Sequence, residues 1–319
     1  MLLLLCAAAA LGLFTAAAQA DDGITTWDEL QAALRAGGTV TLTESITASS
    51  GSSALTVPSG TTVTLDLNGC TIDRNMTWSS AEGYAIVNNG ELTIMDSSAD
   101  MSGVITGAFG SEQAGAIQNN NRLYFLSGNI SGNLTYGYGA GVLNCEGAHF
   151  TMTGGVICDN EAGNYGGGVC NRGEFRLEGG RIDNNFCRIS GGGVANYGTF
   201  VMLDGMIVNN RSNSNCGGVY LHAGTATISG GSITGSTARD LYLEDNQASP
   251  KLNMFGAPVI GNLFLEGNSL ITVTGAFASS ADITVTVTNE GCAGRFTSGY
   301  GANHGDIHPT GYFHGKMRQ

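Results

Sequence analysis

Gly167-Gly168-Val169-Cys170-Asn171 decides the fold, because the same phrase returns along the chain. Gly115-Ala116-Ile117-Gln118-Asn119 and Ala140-Gly141-Val142-Leu143-Asn144 precede it; Gly192-Gly193-Val194-Ala195-Asn196 and Gly217-Gly218-Val219-Tyr220-Leu221 follow. The central aliphatics are 25, 27, 25 and 25 residues apart. A weaker copy is Ala85-Ile86-Val87-Asn88, and a later one centres on Leu241. Each repeat continues in the same way. A Gly or Asn turn leads to an aromatic-x-aliphatic strand: Phe150-Thr151-Met152, Phe175-Arg176-Leu177 or Phe200-Val201-Met202. A glycine corner follows (Gly154-Gly155, Gly179-Gly180, Gly230-Gly231), then a third strand centred on Ile130, Ile157, Ile182, Ile207 or Ile233.

Three short segments with period-2 alternation between glycine corners bury their apolar sides only by stacking on copies of themselves. The expected fold is therefore all-β, a right-handed parallel β-helix over residues 39–290. Roughly ten coils, each about 4.8 Å from the next, make a rod roughly 45–50 Å long. Leucine-rich horseshoes need a helical segment in each repeat, and propeller blades need about 40 residues, so both fit worse.

Two rows of asparagine sharpen this reading. Asn88, Asn119, Asn144, Asn171 and Asn196 fall two residues after the first-strand aliphatic; Asn133, Asn160, Asn185 and Asn210 fall three after the third-strand isoleucine. Stacked coils place each row along the axis as a ladder of amide side chains. Asparagine also tolerates the left-handed backbone expected at such corners. A row of ligands for sugar or metal is the competing reading.

The ends have a different character. Leu2 to Ala18 is almost wholly apolar and closes in Ala18-Gln19-Ala20, so residues 1–20 read as a signal peptide, although no Lys or Arg precedes the apolar run. A retained anchor is the alternative. Within 21–38, Thr26-Trp27-Asp28-Glu29 forms a capping box. Trp27, Leu30 and Leu34 follow on one helical face, stopped by Gly37-Gly38, which predicts a lid over the first coil. Residues 291–319, rich in Gly and His, read as an irregular tail or the start of a following segment.

Composition narrows the function classes. Fifty glycines, two lysines (Lys251 and Lys316) and a net charge of −13 disfavour nucleic acid. After Ala20 no segment suits membrane insertion. Cys70, Cys145, Cys158, Cys170, Cys187, Cys216 and Cys292 are odd in number and irregular in spacing, which reads as mostly free thiols packed as small hydrophobes. One or two bridges between coils are the alternative.

These repeats resemble right-handed β-helix surface proteins of bacteria, with the GGGV-x-N, F-x-M and GG-x-I-x-x-N pattern similar to the repeats of polymorphic outer-membrane adhesins. Trp27-Asp28-Glu29-Leu30, Val57-Pro58-Ser59-Gly60-Thr61 and Leu67-Asn68-Gly69 are similar to segments of large surface proteins of gut Firmicutes. The resemblance covers roughly residues 23–300. It implies architecture more than activity, because the pectate-lyase-like superfold also hosts lyases, hydrolases and tailspikes. No autotransporter barrel and no sorting motif stands in the sequence.

Enzymes of this superfold need carboxylates on a strand face. The outward positions read Val87, Gln118, Leu143, Cys170, Ala195, Tyr220 on the first strands. They read Thr93, Tyr124, Thr151, Arg176, Val201, Thr227 on the second, and Val104, Asn129, Val156, Arg181, Met206, Ser232 on the third. None is Asp or Glu, so no catalytic residue is assigned. Glu174, Arg176, Glu178, Arg181 and Asp183 read as mutually screened surface charges. His304, His308 and His314 surround Asp306, but Gly305, Pro309 and Gly311 argue against the helix a metal pair needs. No metal and no cofactor are expected. His149 and His222 read as isolated turn residues.

Tyr138 and Tyr165 each precede their first-strand valine by four residues and should stack, with Tyr136 nearby. They are the candidate binding residues, for polysaccharide or a cell-surface glycan, with simple ring packing as the plainer reading. The expected function is a secreted or cell-surface module of adhesion or display without catalysis. The alternative is a polysaccharide lyase or glycoside hydrolase with loop-borne residues.

Overall fold

The computed structural model describes residues 23–113, 115–287, 296–304 and 311–317. It is a parallel β-solenoid of about 10 turns with one short N-terminal helix. Residues 1–20, Cys292, Asp306 and His308 lie outside the described residues.

One coil shows how the phrase folds. Val169–Asn171 is the first strand, Glu174–Leu177 the second and Arg181–Asp183 the third. Each pairs in parallel with its copies on both sides, so Val169 sits between Val142 and Val194, and Phe175 between Phe150 and Phe200. The inward residues of all three strands meet in one axial core: Val169, Phe175, Leu177 and Ile182 have no exposed surface. Phe150, Phe175 and Phe200 stack ring on ring at 4.7 and 5.3 Å. Burying such aromatic and aliphatic side chains contributes about 1.5–3 kcal/mol each.

Two features depart from the three-strand reading. A fourth, two-residue strand follows the third in five coils, as Phe109–Gly110, Leu134–Thr135, Glu161–Ala162, Phe186–Cys187 and Arg211–Ser212. These form their own 5-stranded sheet. Two residues carry no periodicity to read. In the last coils this corner is absent. Val259–Leu265 pairs with Ser232–Thr234 at one end and Leu241–Leu243 at the other, so third and first strands fuse into one. Phe313–Met317 then stacks on Asp282–Val287, carrying the solenoid beyond residue 290. The repeat fades there in sequence because the coil has lost a corner.

Both asparagine rows are continuous ladders. In the first, Nδ2 of Asn88, Asn119, Asn144 and Asn171 donates to Oδ1 of the next member at 2.8, 2.8, 2.7 and 2.7 Å. In the second, Asn133, Asn160 and Asn185 donate onward at 3.0 Å each. The left-handed residue at that corner is the neighbour before the second row, not the ladder member: Gly132, Asp159, Asn184 and Asn209 have φ of 69, 55, 56 and 56°. The ladder side chains must instead point inward to reach one another.

The repeated glycines are there for stacking. A Cβ on Gly168 would lie 2.6 Å from the Gly193 carbonyl oxygen and 2.9 Å from Ile182 Cγ2. That carbonyl already accepts from Val169 N at 2.9 Å, so it cannot withdraw without opening the ladder. Gly168→Ala should therefore cost about 1–3 kcal/mol. Urea denaturation measures it, and an unchanged midpoint would mean the coils have slack.

The lid forms as expected. Trp27–Ala36 is a helix whose N-cap Thr26 and Glu29 make both halves of the capping box, with Trp27, Leu30 and Leu34 buried. Gln31, which the sequence did not single out, closes the exposed edge of Leu55–Val57. Its amide accepts from Thr56 N at 2.7 Å and donates to Thr56 O at 2.9 Å, replacing an absent coil. Buried Arg74 fastens the same end, donating to the Ser52 and Tyr84 carbonyls at 2.6 and 2.8 Å beneath the Trp27 ring.

Candidate functional site

The period-2 rule placed Leu143, Cys170, Ala195 and Tyr220 outward, yet all four are buried. The turn before each first strand covers them. Tyr138, Tyr165, Ser190 and Cys216 bridge coil to coil there, a column too sparse to register as a strand. Over small Ala195 the Tyr165 side chain runs along the axis and reaches Tyr220 two coils away.

A ladder of five rings results. Tyr138 stacks on Tyr165 at 6.0 Å, Tyr165 on Tyr220 at 5.8 Å and Tyr220 on Tyr242 at 5.5 Å; Phe264 meets Tyr242 edge-on at 5.5 Å. Each such pair contributes about 0.5–1.5 kcal/mol beyond area burial. A guanidinium closes each end. Arg172 lies 5.1 Å from the Tyr138 ring centroid, and Arg239 lies 4.8 and 3.8 Å from those of Tyr242 and Phe264.

No family model, curated protein or solved structure matches this chain.

Along one side of the ladder runs a polar rim, two residues beyond each outward position: Cys145, Arg172, Tyr197, His222, Glu244 and Glu266. His222 Nδ1 lies 2.6 Å from Glu244 Oε2 and 3.0 Å from the Tyr220 hydroxyl. Asn246 Nδ2 donates to the His222 carbonyl at 2.9 Å and also to Glu244 Oε2. Tyr197 sets its edge against Tyr165 and its tilted ring on His222 at 4.9 Å. Burial pushes the Tyr220 and Tyr242 phenols far up, and hydrogen bonding to Glu244 and Glu266 adds to it. Those hydroxyls stay protonated and serve as donors.

Of the three candidate residues, Tyr138 and Tyr165 come together as expected, both half-buried. Tyr136 does not join them; it is 51% exposed and meets Phe109 edge-on at 5.2 Å on the fourth-strand corner. Neither histidine taken as isolated is so: His149 Nδ1 lies 3.3 Å from Glu174, and His222 sits within the rim. Sequence reasoning missed Tyr197, His222, Tyr242, Glu244 and Phe264. One signal was legible, since Tyr220, Tyr242 and Phe264 are each 22 residues apart and extend the outward row.

The remaining candidates are simpler. Arg176 pairs with Glu178 at 2.8 Å and Arg181 with Asp183 at 2.9 Å, each two residues along its strand. His314 Nε2 lies 3.3 Å from Asp282. Cys70, Cys145, Cys158, Cys170, Cys187 and Cys216 are all free. Burial pushes the Cys158, Cys170 and Cys187 thiols up to about 12, which keeps them protonated and unreactive. Among the described residues no group of His, Cys, Asp and Glu is arranged to hold a metal ion, and no helix is long and apolar enough to cross a membrane.

Proposed function

We propose that this chain is a secreted or cell-surface module of adhesion or display that binds glycan along the ladder. The observation supporting this reading is the polar rim beside the stacked rings. Tyr197, His222, Glu244 and Asn246 offer hydroxyl, imidazole, carboxylate and amide groups next to half-buried aromatic surface. That mixture suits a hydroxylated ligand with apolar ring faces. A stack of hydrogen-bonded coils holds it without loops to order on binding, which lowers the entropic cost.

Binding to immobilised oligosaccharides tests the reading. Tyr165→Ala should weaken binding about tenfold or more. Tyr165→Phe, which keeps the stack, reports on the hydroxyl alone. Reducing-end release from pectins, alginates, glycosaminoglycans and plant glucans, with and without calcium, should give no turnover. Turnover on any of these would replace binding with the lyase or hydrolase alternative.

A further inference from the structure

Beyond the last ring of the ladder the surface opens into a cleft of about 280 Å³ lined by Ser214, Asn215, Ala238, Arg239, Asn262, Phe264 and Thr286. Arg239 is its distinctive group. Its guanidinium lies on the Phe264 ring at 3.8 Å, and Nη1 donates to the Asn215 carbonyl at 2.6 Å. No carboxylate among the described residues forms an ion pair with it, unlike Arg176 and Arg181. The adjacent carboxyl of Asp240 is turned to Ser236 N, at 2.7 Å, and burial pushes its pKa up. Glu244 is held by His222, and Glu266 takes the Asp245 amide at 3.1 Å.

A guanidinium has five donors in a planar fork that matches a carboxylate. Here stacking and one backbone bond fix the fork, leaving the other donors uncommitted at the cleft. Its neighbours divide into two kinds. Asn262 is engaged, donating to Ala238 O at 3.1 Å and accepting from Thr286 at 3.3 Å. Among the described residues the Asn215 amide and the Ser214 hydroxyl have no such partners, and they line the same space.

We propose that this cleft is an anionic subsite of the binding strip: Arg239 takes the carboxylate of an acidic sugar unit, while Asn215 and Ser214 take its hydroxyls. The proposal rests on the glycan-binding reading and adds the charge class of the ligand. It places a guanidinium without a carboxylate partner at the Phe264 end of the strip, where a chain lying along the ladder would end or turn. The overall negative charge of the protein then makes affinity for an acidic glycan depend on this local site rather than on long-range attraction.

Isothermal titration of the whole chain tests it, with a hexuronate oligosaccharide and its carboxyl-reduced neutral counterpart as probes. The acidic probe should bind about tenfold or more tightly than the neutral one. Arg239→Gln should erase that difference. Because Arg239 also caps the aromatic stack, Asn215→Asp serves as the second variant. It keeps every ring contact, supplies an internal carboxylate to the fork, and should likewise abolish the preference. Equal binding of both probes by the native chain, or an undiminished preference in Asn215→Asp, overturns the subsite and leaves the strip intact. Binding of neither probe, by native chain and variants alike, overturns the subsite together with the glycan reading.

Discussion

Asn171→Ala should lower thermal stability by about 3–5 kcal/mol, from the interior of a ladder that has no water to fall back on. Asn171 has no exposed surface, accepts from Asn144 at 2.7 Å, and donates to Asn196 Oδ1 at 2.7 Å and Thr199 O at 2.8 Å. Truncation strands the Asn196 oxygen, withdraws the Thr199 partner, and leaves the Asn144 amide with only carbonyl partners. Two or three buried groups at about 1–3 kcal/mol each set the size of the effect. In a domain of this size that corresponds to a fall of roughly 10 °C in melting temperature. The surface pair Asn120–Asn89, bonded at 2.8 Å in half-exposed positions, is the control. Asn120→Ala should change stability by less than about 1 kcal/mol, since water replaces the lost partner. Equal effects at the two sites would refute the view that burial gives the ladder its strength.

Phe175→Ala should cost a similar amount, about 3–5 kcal/mol, by a different route. Its ring lies between Phe150 and Phe200 with no exposed surface, so removal opens a cavity between coils held in place by their backbone ladders. Those ladders limit collapse, which puts the expected loss toward the upper end of the range. Phe175→Leu refills most of that volume and should cost under about 1.5 kcal/mol. Denaturant unfolding of the three proteins gives the comparison; a leucine variant as weak as the alanine one would point to ring stacking rather than volume. The two substitutions together separate what holds a coil to its neighbour: polar pairing at the corner and apolar filling at the axis.

Most of the solenoid could be read before any coordinates. The spacing of Val142, Val169, Val194 and Val219, the phenylalanine column and both asparagine rows are local patterns that translation along one axis turns directly into contacts. The lid was legible for the same reason, since a capping box and a three-residue apolar face are local features. The aromatic ladder was read only in part. Tyr138 and Tyr165 share one repeat position, so their stacking followed from the period. The link from Tyr165 to Tyr220 joins different positions two coils apart, and no periodicity encodes it.

By itself, then, the order of residues determined the parallel stack, its inward and outward faces on the second and third strands, the amide ladders and the closed N-terminal end. Each follows from alternation, side-chain volume and hydrogen-bonding capacity within one repeat. The tertiary structure alone decided that the first-strand face is covered and that His222, Glu244 and Asn246 converge. It also decided that Arg239 is left without a carboxylate, and that the last coils lose a corner. Those outcomes depend on where a turn lies over its neighbour, and on which side chain is small enough to be crossed. Ala195, packed with Tyr165 in one cluster, is small enough for that ring to pass over it to Tyr220.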